Sequence, residues 1–167
     1  GHRYPIETTD EESAPPADTP DSTDQETEAP PEEIGDPYEL VFSSNGDGTC
    51  TLVGIGSCTD TDIVLDTYNG KPVTAIGYEA FRGCSQMTSI SIPSTVNQIE
   101  QGAFWDCTGL TSVVIPKRVT ELSMQLFEGC TSLTSLTLPK NLKVIRIEAL
   151  YNTRLMNIYF AGTEAQW

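Results

Sequence analysis

Apolar and polar positions in the second half of the chain follow one phase, and that phase repeats every 23 residues. One register holds Phe81, Phe104 and Phe127, a second Cys84, Cys107 and Cys130, and a third Met87, Leu110 and Leu133. Ile90, Val113 and Leu136 come next, then Ile92, Ile115 and Leu138, and then Pro93, Pro116 and Pro139. Val96, Val119 and Leu142 share another register, as do Ile76, Ile99, Leu122 and Ile145. A unit of this length cannot bury its apolar face alone, so successive units must stack into a solenoid.

Each unit has two halves. The first, Met87-Thr88-Ser89-Ile90-Ser91-Ile92-Pro93, alternates apolar with small polar residues and ends in proline. This is the pattern of a short strand with one buried face, expected at 90–92, 113–115 and 136–138. The second half, Ile76-Gly77-Tyr78-Glu79-Ala80-Phe81-Arg82-Gly83-Cys84, places Ile, Ala and Cys four apart. That spacing predicts one helical or 3₁₀ turn on the opposite side, with the three phenylalanines buried there. The expected architecture is an α/β-type, right-handed solenoid with a short parallel sheet on one face and coils about 4.8 Å apart.

The ends depart from the pattern. Two strand-like runs around Asn45-Gly46-Asp47-Gly48 predict a β-hairpin within 38–55, placed to cap the first coil. Repeats then run over 56–148, the first of them irregular because Thr67-Tyr68-Asn69-Gly70-Lys71 makes a longer turn. Residues 149–167 form a last, shortened unit without cysteine, and Thr163-x-x-Gln166 has the spacing of a capping box that would start a helix.

Charge divides the chain. Of its net −15, residues 1–37 carry −11 (12 acidic side chains against Arg3), together with 7 of the 11 prolines. Such a segment cannot bury enough apolar surface to offset its ordering entropy, and it reads as an acidic tether to a folded domain over 38–167. The acidity excludes nucleic acid as a partner. No apolar run reaches the roughly 18 residues of a transmembrane helix. The chain starts without methionine, so an export signal is expected upstream, with or without a lipid-modified cysteine.

Candidate chemistry is sparse. The only histidine, His2, lies in the tether, so no Ser-His-Asp or Cys-His arrangement can form in the folded part, and no catalysis, cofactor or metal is expected there. Cys84, Cys107 and Cys130 should stack as a reduced, buried ladder; Cys50 and Cys58 leave a disulfide open. Asp60, Asp62 and Asp66 read either as turn residues or as calcium ligands. The outer face of the sheet is the expected binding surface. It carries one row of Asp62, Ser89, Ser112, Ser135 and Asn157, and beside it a row of Val64, Ser91, Val114, Thr137 and Tyr159. These rows fit hydrogen bonding to a ligand or the plain filling of a solvated sheet. Lys117, Arg118, Lys140, Lys143 and Arg146 form a basic rim, open to an anionic ligand, to the acidic tether or to solvent alone.

The motif Leu110-Thr111-Ser112-Val113-Val114-Ile115-Pro116, with Val119, Leu122, Phe127 and Cys130, resembles the BspA-like class of bacterial leucine-rich repeats. The lead-in 54–63 and the ending Tyr159-Phe160-Ala161-Gly162-Thr163-Glu164-Ala165-Gln166-Trp167 resemble it as well, so the likeness covers roughly 38–167. The resemblance implies an exported, monomeric module at a cell surface that binds an extracellular protein or glycan. It supplies no catalytic residues. An accessory or spacer domain of a larger exported enzyme is the competing expectation.

Overall fold

The computed structural model describes residues 40–166; the expected tether over 1–37 lies outside them. Strands β1 (Val41–Ser44) and β2 (Cys50–Gly54) pair antiparallel as the expected hairpin. Its turn is held by Asp47, whose carboxylate accepts from the backbone and hydroxyl of Thr49. Strand β3 (Asp62–Val64) opens the first coil, and β4 (Thr67–Tyr68) and β5 (Lys71–Ile76) make a tight antiparallel pair. Asn69 and Gly70 join them with φ of 51° and 71°, the left-handed pair that a two-residue type I′ turn requires.

The regular coils contribute β6 (Ser89–Ser91), β7 (Gln98–Ile99), β8 (Ser112–Val114), β9 (Glu121–Leu122), β10 (Ser135–Leu138), β11 (Val144–Ile145) and β12 (Asn157–Phe160). One side of the solenoid is the five-stranded sheet β3-β6-β8-β10-β12, paired in parallel. The observed strands start one residue earlier than the expected 90–92, 113–115 and 136–138. A second, broken strip runs β2-β5-β7 and then β9-β11. Through β2 the hairpin becomes the first rung of this strip, and Leu40, Cys50 and Leu52 are buried against the first coil.

No α-helix occurs among the described residues, which corrects the α/β expectation. The segments read as helical turns are chains of β-turns, and their hydrogen bonds show why. Ala80, Arg82 and Cys84 donate to carbonyls three residues back, at Gly77, Glu79 and Phe81. The intervening amides of Glu79, Phe81 and Gly83 instead donate to Gln101, Ala103 and Trp105 on the next coil. The pattern recurs from Gly102, Phe104 and Asp106 to Met124, Leu126 and Glu128, and from Gln125, Phe127 and Gly129 to Ile147, Ala149 and Tyr151. An α-helix would turn every amide along its own axis; here every second one points to the neighbouring coil. The helix expected from the Thr163 capping box is likewise only a 3₁₀ turn, Glu164–Gln166.

Alternation of this kind needs left-handed residues at fixed places. Glu79, Gly102, Gln125 and Glu148 have φ between 49° and 62°, and Gly83, Asp106, Gly129 and Asn152 between 55° and 73°. Both sets keep the 23-residue phase.

The core lies between these layers. Phe81, Phe104 and Phe127 are fully buried and stack nearly parallel, with centroids 5.3 Å apart. All five cysteines are free and buried. The Cys107 and Cys130 thiols donate to the carbonyls of Phe81 and Phe104, each at 3.0 Å, so these thiols join neighbouring coils by hydrogen bonds. The Cys130 thiol and burial together push up the Cys107 thiol, and burial raises Cys84 and Cys50. At the C-terminal coil, core registers meet solvent. Ile145 is 47% exposed where Ile76, Ile99 and Leu122 are at most 1%.

Three outcomes follow from this packing. Phe104→Ala removes the middle ring of the stack and should cost about 3–5 kcal/mol in denaturant unfolding. Gly83 is left-handed with open space where a Cβ would go. Gly83→Ala therefore isolates backbone handedness, and a loss of about 1–2 kcal/mol is expected; a neutral result would show that the turn does not require that geometry. Thiol reagents should miss Cys84, Cys107 and Cys130 in folded protein and modify all three in denaturant. Rapid labelling of the native ladder would contradict its burial.

Candidate functional site

The outer sheet face assembles as its register dictates. Parallel pairing aligns Asp62, Ser89, Ser112, Ser135 and Asn157 in one row. Val64, Ser91, Val114, Thr137 and Tyr159 follow two residues on in the same five strands and so lie on the same face. The two rows differ in character. Part of the first is engaged internally. Ser89 donates to Asp62 Oδ1 at 2.5 Å, and Thr61 donates to Oδ2 at 3.0 Å. These hydroxyls, Ser89 first, hold the Asp62 carboxyl below its usual range. The carboxylate read as a possible calcium ligand is thus bonded to hydroxyls, and no three His, Cys, Asp or Glu residues converge as a metal site among the described residues.

The second row exposes its apolar members. Val64, Val114 and Tyr159 are 56%, 64% and 56% exposed. At the sheet margin the hydroxyls of Thr88, Thr111 and Thr134 donate to the carbonyls of Thr61, Thr88 and Thr111. This threonine ladder is structural, and the sequence carries its signal: threonine recurs at 88, 111 and 134 in the same phase as the core.

Of the five cations read as a basic rim, one has an acidic partner among the described residues. Arg146 is held by Glu121 through two hydrogen bonds, Nε to Oε1 at 2.7 Å and Nη2 to Oε2 at 3.0 Å. The guanidinium keeps the Glu121 carboxyl below its usual range. Arg146 is therefore partly neutralised where it stands, an effect invisible in sequence because the two residues are 25 apart and meet only through coil stacking. Lys117, Arg118, Lys140 and Lys143 stay exposed, with no ion pair among the described residues. Lys140 and Lys143 line an open concavity of about 430 Å³ with Thr120, Asn141 and Leu142. The Asn141 amide donates to the Lys117 carbonyl at 3.4 Å, joining the two coils at this place.

A third surface was missed by the sequence reading. On the turn side, Glu79 holds Arg82 at 2.7 Å, and the Arg82 guanidinium lies 4.0 Å over the Trp105 ring of the next coil. Arg82, followed by Tyr78, holds the Glu79 carboxyl low. Tyr78 and Tyr151 on the same side are 58% and 63% exposed. The signal lay in the variable register 82, 105, 128 and 151, where the phase holds but the residue type changes from coil to coil.

The comparisons agree with this architecture. The BspA type leucine rich repeat region matches in 6 copies over residues 58–166. Among solved structures, a leucine-rich repeat protein from Bacteroides ovatus is 29% identical, with a TM-score of 0.63 over 72% of this chain and 36% of its own. A leucine rich cell surface protein from Faecalibacterium prausnitzii is 26% identical, with a TM-score of 0.59 over 77% of this chain and 40% of its own. This chain therefore spans well under half the length of either. A leucine-rich repeat protein from Bacteroides capillosus is 24% identical and is covered entirely, over 78% of this chain, with a TM-score of 0.65; it shows the shared fold. No match is found among curated proteins. With repeats of one type in phase across more than half its length, this chain belongs to the BspA-type leucine-rich repeat family.

Proposed function

We propose that the chain is a non-enzymatic, cell-surface binding module whose ligand carries anionic groups and engages the basic rim beside the outer sheet face. The observation that carries this reading is the placement of Lys117, Lys140 and Lys143. Lys117 and Lys140 are one repeat apart, so coil stacking puts two like charges at the same register on adjacent coils. Like charges opposite one another are unfavourable unless something neutralises them. Glu121, the neighbouring acid, is already held by Arg146. Two lysines around a concavity that is also lined by a threonine and an asparagine suit a sulfate or carboxylate group.

The sheet face supports the same reading. Ser91, Ser112, Ser135, Thr137 and Asn157 offer hydrogen bonds, while Val114 and Tyr159 offer apolar contact, a mixture suited to a glycan or an extended protein segment. Location at a cell surface is inferred from the family and from the F. prausnitzii protein described as a cell surface protein.

The test is binding of a sulfated glycan to the full chain at low ionic strength. Lys140→Glu combined with Lys143→Glu should weaken binding about tenfold or more, equivalent to roughly 1.4 kcal/mol, and the difference should shrink as salt rises. Affinity unchanged by the double substitution would remove the rim from the function. Val114→Asp on the same probe separates the sheet face: loss there with an intact rim would move the site to the sheet.

A further inference from the structure

The turn side of the solenoid carries a column at one register: Arg82, Trp105, Glu128 and Tyr151. Backbone bonds fix the order, since Gly83 donates to the Trp105 carbonyl, Asp106 to that of Glu128 and Gly129 to that of Tyr151. Glu128 therefore stands between two aromatic residues, one on each neighbouring coil. Its Oε2 is shielded from solvent and has no hydrogen-bond donor among the described residues. A shielded carboxylate oxygen without a donor is costly. Glu128 as a whole is only half-buried, so a rotation of its side chain brings this oxygen to the surface, where an incoming N–H group would relieve that cost.

The same column shows what kind of group fits. At its start the chain provides its own cation: Arg82 is gripped by the Glu79 carboxylate and its guanidinium sits 4.0 Å over the Trp105 ring. Carboxylate, guanidinium and aromatic ring are thus brought together across one coil spacing. At Glu128 the carboxylate and the rings recur, but neither adjacent coil places an arginine or lysine at this register, where Trp105 and Tyr151 stand instead. Glu148 adds a second carboxylate three residues before Tyr151, as Glu79 precedes Arg82. A planar guanidinium suits such a place better than an ammonium, because it can donate two parallel bonds to a carboxylate and stack on a ring at once.

We infer that Glu128, flanked by Trp105 and Tyr151, is a binding site for an arginine side chain of a partner polypeptide. It lies on the turn side and is independent of the basic rim, which takes the opposite charge.

The probe is N-acetylarginine amide, titrated into the full chain while the Trp105 indole N–H resonance is followed, with its assignment fixed by Trp105→Phe. A saturable shift is expected in the millimolar range, with a weaker response to N-acetyllysine amide. Glu128→Gln should abolish the shift, and Tyr151→Ala should weaken it severalfold. Glu128→Gln removes a single acid of the chain's 24, so diffuse attraction to the acidic protein would survive it. The substitution is nearly isosteric and removes an unpartnered charge, so the melting temperature should hold or rise, which separates lost binding from lost fold. No saturable shift, a shift that persists in Glu128→Gln, or an equal response to the lysine analogue would overturn the assignment.

Discussion

The structure depends on backbone hydrogen bonds that run from coil to coil on the turn side. Along each turn, alternate amides close local β-turns while the others donate to the next coil, as from Phe81 to Ala103, Phe104 to Leu126 and Phe127 to Ala149. This arrangement satisfies the peptide groups of a segment that has neither an α-helix nor a regular strand to satisfy them. It also sets the spacing of the coils. The phenylalanines can stack at 5.3 Å, and a thiol can reach the carbonyl of the preceding coil, because the backbones have already been brought to that separation. The conformational cost falls on the left-handed positions. Glycine fills some of them, while Glu79, Gln125 and Glu148 hold this geometry without glycine's freedom.

The same spacing organises the surfaces. Any residue type repeated in phase becomes a row, and any charge repeated in phase becomes a column of like charges about one strand spacing apart. Lys117 and Lys140 are such a pair, and the fold gives them no acid among the described residues. Arg146 and Glu121 show the opposite case, in which neighbouring coils place unlike charges together and neutralise both. A repeat protein of this size has little interior to build a pocket from. Under the proposed binding role, recognition chemistry therefore has to be written in rows and columns on the outside.

Much of the fold was legible because the apolar registers are nearly invariant within the chain. The buried phenylalanines, the cysteine ladder and the register of the outer sheet rows all follow from phase alone, and the N-terminal hairpin from the turn residues Asn45-Gly46-Asp47-Gly48. What was misread shares one cause. Ile, Ala and Cys four apart suggested a helical turn, yet apolar spacing reports which side chains point inward and not where the amides go. Gly83, Asp106, Gly129 and Asn152 carried the correction, since three residue types that tolerate left-handed backbone recur at one register. The Arg146 pairing was hidden for a related reason: sequence shows which charges lie near each other along the chain, whereas Arg146 meets Glu121 across it. Asp62 was open to two readings until its hydroxyl partners, drawn from two coils, were in view.

These errors point to where function is encoded in a chain of this kind. Registers that never vary build the stack and are the same for any ligand. Registers that keep the phase but change residue type are free of that duty. In the column 82, 105, 128 and 151, the backbone role is constant, with the carbonyls of 105, 128 and 151 each accepting from the preceding coil. The side chains nonetheless run from guanidinium to indole to carboxylate to phenol. Constancy of the backbone role removes packing as the reason for that succession, because none of the four is needed to hold the core. The rim obeys the same logic: register 94, 117 and 140 runs from serine to two lysines at a fixed place in the coil. In both cases the repeat supplies position at a spacing of about 5 Å, and departure from the repeat supplies the chemistry.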